Sequence, residues 1–254
     1  MQYKLTALVG IYKASKFIES KIASLLSQTI FKDIQIILLN CQNLENESDY
    51  YQEFLQHNNV KEIKYDQHVK LYKTWNDGIN TFCKSEYLTN ANVDDQWHPQ
   101  FAEKCCNYLD INYDVSVVST NILVTEIPNQ LWPNWQYTSI FPKYTYPGST
   151  AGPCPVWRTI LHNKYGLFDD YTVISDALAW EKWLQAGEKF DRIDEDLVLY
   201  YRNPESLERR HDETTGKSLL EIDLHNKYPH LNPNNISNTT ESIESEPGIQ
   251  STCE

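Results

Sequence analysis

Short apolar runs alternate with segments of helical spacing along most of this chain, and this alternation is the feature that most restricts its fold. Mostly apolar runs occupy residues 5–11, 34–39, 87–93 and 115–123, as expected of strands buried in a sheet. Apolar residues recur three and four positions apart in the intervening segments, which predicts helices over about 17–29, 71–82 and 99–109. A further helix over 171–186 and a short last strand over 197–201 continue the pattern. The sequence therefore predicts an α/β fold with a mostly parallel central sheet flanked by helices.

An acidic pair stands directly after the third of these runs, in Asn92-Val93-Asp94-Asp95. Ligand crevices in open α/β sheets lie at the carboxyl ends of the strands. Mg²⁺ or Mn²⁺ held there by one or two carboxylates keeps coordination positions for substrate phosphates. The pair indicates chemistry on a phosphorylated substrate, and its structural alternative is a solvated turn or a helix cap.

The composition excludes several classes of protein. A formal charge of −13 over 254 residues argues against a general nucleic-acid binder, which needs a basic surface. No run approaches 18 apolar residues, so we expect no membrane span and at most peripheral membrane contact. The first residues contain no signal-peptide pattern, and the six cysteines show no Cys-x-x-Cys spacing. We expect a cytoplasmic protein with free thiols and no zinc site.

Two segments depart from the alternating pattern. Residues 125–155 are rich in Pro, Trp and Tyr, and we expect an irregular excursion across the mouth of the cleft. Residues 231–254 contain four acidic residues and no Lys or Arg, which is typical of a disordered acidic tail. The sequence thus predicts one domain over 1–230 and a tail over 231–254.

Eight segments, in order, carry sequence motifs, whereas the common dinucleotide, P-loop and serine-hydrolase motifs are all missing from the sequence. The segments are LVGIYKA at 8–14, IASLLSQT at 22–29, DIQIILL at 33–39, WNDGI at 75–79, NVDDQWHP at 92–99, GLFD at 166–169, SDALAW at 175–180 and DEDLVLYYR at 194–202. Together they resemble family 2 glycosyltransferases of the GT-A fold over roughly residues 4–210.

The resemblance implies a metal-assisted transfer of a sugar from a nucleoside diphosphate to an acceptor hydroxyl of a glycan or glycoconjugate. Asp95 is then the first choice for the ligand of Mn²⁺ or Mg²⁺, and Asp94 shares the metal or contacts the ribose. Asp176 is the candidate general base of an inverting reaction. The structural alternative for Asp176 is a helix cap.

The resemblance also implies a nucleotide-binding set, with uridine as the family's usual base. The residues are Gly10, Tyr12, Asn40, Cys41, Asn76 and Asp94. Tyr12 would stack on the base, and Gly10 would let the backbone approach the nucleotide. Asn40 and Cys41 replace the acidic residues that the family often has after its second strand.

The remaining expectations concern phosphate, metal and acceptor contacts. Arg209 and Arg210 suit the diphosphate because guanidinium pairs with phosphate oxygens, and their alternative is a solvated charge run. His211 is a candidate third metal ligand or a surface histidine. Trp157 and Trp180 are candidates for acceptor binding, as is the aromatic segment 131–137, with an aromatic core as the alternative.

Two other functions are compatible with parts of the pattern. A non-catalytic nucleotide- or glycan-binding module on the same fold would explain Asn40, Cys41 and Asn92 in place of acidic residues. A sugar-1-phosphate nucleotidyltransferase is disfavoured because no Gly-rich phosphate loop follows the first strand.

Overall fold

The computed structural model describes residues 2–41, 46–140 and 151–229. The predicted acidic tail, 231–254, and the middle of the predicted excursion lie outside these ranges. Within them the strands are β1 (Tyr3–Ile11), β2 (Ile34–Cys41), β3 (Val60–Tyr65), β4 (Ser85–Asn90), β5 (Gln96–Trp97), β6 (Val115–Thr125), β7 (Ser139–Ile140), β8 (Val156–Arg158) and β9 (Lys189–Tyr201). The helices are α1 (Ile18–Leu26), α2 (Leu71–Phe82), α3 (Phe101–Ile111), α4 (Ile160–Tyr165), α5 (Ser175–Gln185) and α6 (Leu219–Lys227).

The strands form one sheet in the order β3-β2-β1-β4-β8-β6-β9-β5, with β7 paired to β6. The long strands β1, β2 and β3 pair in parallel, as do β1 with β4 and β6 with β9. The short strand β8 is antiparallel to both β4 and β6, so β4 and β6 run in the same direction. This sheet confirms the predicted α/β architecture with mostly parallel strands.

Both faces of the sheet are covered by apolar side chains. Leu5, Ala7 and Val9 of β1 point into a core with α1 and α3, whereas Leu8 points into a second core with α2 and α5. Alternate residues of a strand project to opposite faces, so a strand buried on both sides is apolar at almost every position. The run that predicted β1 is therefore explained by burial between two helical layers.

The sequence did not predict every element. Strand β3 and helices α4 and α6 have no counterpart among the predicted elements, and β9 has 13 residues where only 197–201 was expected. The first part of β9 is polar and largely solvent-facing, so it shows no apolar run. Helix α6 is also weakly patterned, with Asp223 as its one buried residue.

The predicted acceptor residues Trp157 and Trp180 lie inside the second core. Their exposed fractions are 0% and 2%, and their ring centroids lie 5.2 Å apart. The indole Nε1–H of Trp157 donates to Nε2 of His162 at 3.0 Å. Neither ring presents a face to an acceptor, so their assignment to acceptor binding is wrong, and the aromatic-core alternative describes them.

None of the helices in the described ranges has the length and apolar character required to cross a bilayer. Five cysteines within those ranges carry no disulfide, in agreement with the expectation of free thiols.

The buried His162 should make stability fall in weak acid. Burial lowers the pKa of His162 from its ordinary 6.5 to about 4. The unfolded chain therefore takes up a proton below pH 6.5 that the folded chain resists, so the stabilisation present above pH 6.5 is lost as the pH falls towards 4. We expect a loss of about 3 kcal/mol from this group over that window.

Urea unfolding of the native protein and of His162→Gln, at several pH values from 7 to 4, measures this contribution. The variant keeps an acceptor for Trp157 and does not titrate, so its unfolding free energy should depend less steeply on pH. Equal slopes for the two proteins would contradict the assignment.

Candidate active site

The candidate site lies where the parallel strands end. Ile11 at the end of β1 is in register with Asn40 near the end of β2, and Leu8 is in register with Asn90 at the end of β4. The acidic pair follows β4 by four residues and so reaches the same edge of the sheet. This is the edge at which ligand crevices of α/β proteins form.

The two members of the acidic pair have different environments. Asp95 is fully buried, and its Oδ1 accepts from the backbone N–H of Tyr201 at 3.2 Å. Its Oδ2 accepts from the side chain of Asn92 at 3.2 Å. Oδ1 thus joins the turn after β4 to the end of β9, and Oδ2 is engaged within the turn. The prediction that Asp95 is the first metal ligand is corrected, because the carboxylate has no path to solvent.

Asp94 is half-buried and offers the available carboxylate of the pair. Its Oδ2 accepts from Nδ2 of Asn203 at 2.9 Å, and within the described residues its Oδ1 has no hydrogen-bond partner. Asn203 in turn accepts the backbone N–H of Glu205. The sequence analysis did not single out Asn203. The one feature that could have indicated its role is its position two residues after β9.

A buried lysine of α1 contacts the acidic pair. Lys21 of α1 is fully buried, its Nζ donates to the backbone carbonyl of Asp95 at 3.0 Å, and it lies 4.5 Å from the ring centroid of Trp97. Burial lowers the pKa of the Lys21 ammonium, and burial together with Asp94 raises the pKa of Asp95. The feature of the sequence that could have indicated this role is the position of Lys21 on the apolar face of α1.

The candidate base Asp176 lies in the first turn of α5 and contacts a tyrosine from α2. The Tyr72 hydroxyl lies 2.8 Å from Oδ1 of Asp176 and 2.7 Å from the carbonyl oxygen of Val173. Burial and the neighbouring Asp176 raise the pKa of Tyr72 well above its ordinary value, so Tyr72 remains a hydrogen-bond donor. Tyr72 was predicted only as a helix residue.

The chain before Asp176 is held by two side chains from distant parts of the sequence. Asp223 of α6 accepts the backbone N–H groups of Thr172 and Val173 at 2.8 and 2.5 Å. Asn76 of α2 donates to the carbonyl of Phe168 at 2.8 Å and accepts its N–H at 3.0 Å. Because both ends of the Asn76 amide are used in this pair, the assignment of Asn76 to nucleotide binding is corrected to a positioning role.

The end of β1 offers one open aromatic ring. Tyr12 is half-buried, and its ring centroid lies 4.5 Å from that of the exposed His68, which the sequence did not single out. A side chain at Gly10 would meet Cδ1 of Leu71 at 3.0 Å. Position 10 therefore lies in close contact with α2, and the predicted role of Gly10 toward a nucleotide stays a prediction.

The side chains of Asn40 and Cys41 are buried at this edge of the sheet. Asn40 is 2% exposed, its amide contacts the Tyr51 hydroxyl at 2.5 Å, and Glu62 lies 3.2 Å away. The thiol of Cys41 lies 3.5 Å from the carbonyl of Val69, and burial raises its pKa. The prediction that these two side chains face a nucleobase is corrected, because the fold encloses both of them.

The basic segment after β9 lies near the acidic pair through Asn203 and Glu205. Arg210 donates from Nε to the carbonyl of Glu205 at 3.0 Å, and Glu205 pairs with Lys16 at 2.9 Å. Arg209 is exposed. These contacts place both arginines on the segment that begins at Asn203, and their predicted role toward phosphate stays a prediction.

His211 does not join a metal-ligand cluster. It is exposed, and its backbone pairs with Ser218. Across the described ranges, no group of three or more His, Cys, Asp or Glu side chains is arranged to hold a metal. The prediction of His211 as a third ligand is therefore corrected to a surface histidine in this conformation.

Replacing Lys21 should destabilise the protein through the acidic pair. Lys21→Met retains most of the side-chain volume but removes the donor to Asp95 and the nearby positive charge. Leaving the buried backbone carbonyl of Asp95 without its donor costs roughly 1–3 kcal/mol. We expect a corresponding loss in the free energy of unfolding, measured by urea denaturation.

The matched control is Lys16→Met, which removes an exposed lysine of the same segment and should cost less than about 1 kcal/mol. A Lys21→Met protein as stable as the native one would contradict this role.

Comparison with known proteins places this geometry in a family. The family model described as glycosyl transferase family 2 matches residues 6–177, from β1 to the first turn of α5. No curated protein matches the sequence.

Solved structures similar to this one include two with a bound nucleotide sugar. S. aureus TarS 1–349 in complex with UDP-GlcNAc superposes with a TM-score of 0.64 at 14% identity, over 79% of this chain and 59% of TarS 1–349. The mannosyltransferase PcManGT from Pyrobaculum calidifontis, in complex with GDP-Man and Mn²⁺, gives 0.62 at 12% identity, over 81% and 59%. The chain thus spans about three fifths of each of these proteins, and the likeness shows a shared GT-A fold. Since the family match covers more than half of the sequence, the chain belongs to glycosyl transferase family 2.

Proposed function

We propose that this glycosyltransferase moves a sugar from a nucleoside diphosphate to a hydroxyl of a glycan or glycoconjugate, with metal dependence and inversion at the anomeric carbon. The observation that carries the proposal is the available carboxylate of Asp94 at the sheet edge where β1 and β4 end. Asp176, held by Tyr72 at the start of α5, supplies a second carboxylate. Two carboxylates with separate supports suit two separate tasks, binding the leaving group and accepting a proton.

The donor would bind with its base beside Tyr12. The half-buried ring of Tyr12 can stack on a base, and the exposed His68 next to it can move to the other side of such a base. UDP-GlcNAc is bound by TarS and GDP-Man by PcManGT. The uridine nucleotide is our first candidate, as the usual base of the family.

The residues at the edge fit a hard divalent cation. Asp94 would hold Mn²⁺ or Mg²⁺ through Oδ1, while Asn203 keeps Oδ2 in place. One protein carboxylate suffices, because such cations complete their coordination with water and substrate phosphates. The cation would neutralise charge on the departing diphosphate. Arg209 and Arg210, on the segment anchored through Asn203, would add donors to the same phosphates.

Asp176 would act as the general base. The acceptor hydroxyl oxygen attacks the anomeric carbon while Asp176 takes its proton, and the bond to the diphosphate oxygen breaks with its electron pair on that oxygen. Attack opposite the leaving group inverts the anomeric centre. Tyr72 from α2 and Asp223 from α6 position the base by holding its carboxylate and the preceding loop.

Calorimetric titration with UDP, GDP, CDP and dTDP, each with Mn²⁺ and with a chelator, tests the donor class. We expect one nucleotide to bind with Mn²⁺ and to bind at least tenfold more weakly with the chelator. The same nucleotide should bind more weakly to Tyr12→Ala, with Tyr113→Ala as a control for loss of an exposed tyrosine far along the chain. Failure of all four nucleotides to bind the folded protein would contradict the proposal.

Asp176→Asn separates the base from donor binding. The amide keeps the shape and the contact with Tyr72 but is a poor proton acceptor, so transfer should fall about 10²- to 10⁴-fold. Nucleotide affinity should remain within about twofold of the native value. The control Asp170→Asn changes an exposed carboxylate of the same loop, which contacts Lys70, and should leave transfer intact. Normal transfer by Asp176→Asn would exclude Asp176 as the base.

A further inference from the structure

A cavity lies between β5, β9 and the loop that follows β6. Its volume is about 340 Å³, and its walls include His98, Trp132, Trp135 and Tyr137. None of the candidate active-site residues described above lines it. The aromatic residues come from segment 131–137, which the sequence analysis singled out and which donor binding and catalysis do not use.

Aromatic rings form a continuous wall of this cavity. The centroid of Trp132 lies 4.3 Å from that of His98 and 5.4 Å from that of Trp135, both edge-on. Trp132 is 46% exposed and Tyr137 is 51% exposed. Large rings left open to solvent in a concave site are typical of surfaces that bind a ligand.

The polar groups of the cavity are arranged for hydroxyl groups. The indole Nε1–H of Trp135 is buried and has no hydrogen-bond partner within the described residues. A buried donor without a partner costs free energy, so a movement of the Trp135 ring that brings this N–H to a ligand oxygen would be favoured. Glu195 contacts Lys104 through Oε2, and Asp196 accepts from Asn121 at 3.1 Å. These two carboxylates supply acceptors at the opposite wall.

The loop that carries the rings is held in one conformation. Both ends of the Gln130 amide are engaged, since Nε2 donates to Thr125 Oγ1 at 2.8 Å and Oε1 accepts the N–H of Gln136 at 2.7 Å. Asn129 donates to the carbonyl of Lys16 at 2.8 Å and so ties the loop to the start of α1. A fixed wall binds a ligand without a further ordering cost.

The cavity is close to the acidic pair. His98 follows Asp95 by three residues, so their Cα atoms lie at most about 11 Å apart. This distance is within the length of a short oligosaccharide.

We propose that this cavity binds a neutral sugar unit of the acceptor glycan, one or more units away from the hydroxyl that is glycosylated. A pyranose has apolar C–H faces that pack on Trp132, and its hydroxyls both donate to Glu195 and Asp196 and accept from Trp135. Glu195 and Asp196 disfavour phosphate or carboxylate ligands, because Lys104 is already paired. The role in the acceptor rests on the proposed function, whereas the sugar binding itself does not.

The test is an NMR titration of the protein with ¹⁵N-labelled tryptophan. The probes are the neutral trisaccharides cellotriose, maltotriose, mannotriose, xylotriose and chitotriose, with glycerol as a control polyol. We expect at least one trisaccharide to shift the indole N–H signal of Trp135 in a saturable way, with a Kd near or below the millimolar range, and glycerol to leave it unchanged.

Two variants identify the contacts. Trp132→Ala should weaken binding at least tenfold, and Trp135→Phe, which keeps an aromatic ring and removes the N–H, should weaken it about threefold or more. Tyr113→Ala, which removes a ring that is 84% exposed after α3, is the matched control and should bind like the native protein. Absence of a saturable shift with all five trisaccharides, or unchanged binding by Trp132→Ala, would overturn the proposal.

The outcome separates this inference from the proposed function. If the protein binds a nucleoside diphosphate but none of the trisaccharides, the proposed transfer site stands and the sugar-binding cavity is excluded. If it binds a trisaccharide at Trp135 but transfers no sugar, the cavity stands as a glycan-binding site and its role in acceptor binding is excluded.

Discussion

The buried carboxylate of Asp95 is the contact on which the candidate site depends. Its Oδ1 joins the turn after β4 to the end of β9 by accepting from the backbone of Tyr201, and its Oδ2 accepts from Asn92 within the turn. Lys21 supports the same turn from α1, through the backbone carbonyl of Asp95. With Asp95 held in the interior, its neighbour Asp94 is left partly exposed at the sheet edge. The buried contacts of Asp95 thus fix the turn from which the candidate metal ligand Asp94 projects.

Both candidate carboxylates, Asp94 and Asp176, are positioned by side chains that come from distant parts of the chain. Asp94 is held by Asn203, whereas the loop before Asp176 is held by Asp223 and, at Phe168, by Asn76. Asn203 and Asp223 lie beyond residue 177, where the match to the family model ends. The region after that match therefore completes the site, although its helix α6 has almost no amphipathic pattern.

The fold was largely predictable because strands buried between two helical layers are apolar at nearly every position. The sequence could not predict which carboxylate of the acidic pair is buried and which is partly exposed. Adjacent side chains in a turn point in different directions, and the direction of Asp95 is set by its contacts with Asn92 and Tyr201. Trp157 and Asn76 were misassigned for a similar reason. An aromatic or amide side chain serves a core or a ligand equally well, and its partners, His162 and Phe168, are visible only in three dimensions.

The central claim is that Asp94, with Asp95 in a supporting role, binds the metal-nucleotide complex. The most direct measurement is an electron paramagnetic resonance titration of Mn²⁺ in the presence of the nucleotide that the protein binds. We predict that Asp94→Asn remains folded and loses nucleotide-dependent Mn²⁺ binding at least tenfold. Asp95→Asn should instead lower the thermal stability and retain Mn²⁺ binding in the folded fraction. Native Mn²⁺ affinity in Asp94→Asn would contradict the account.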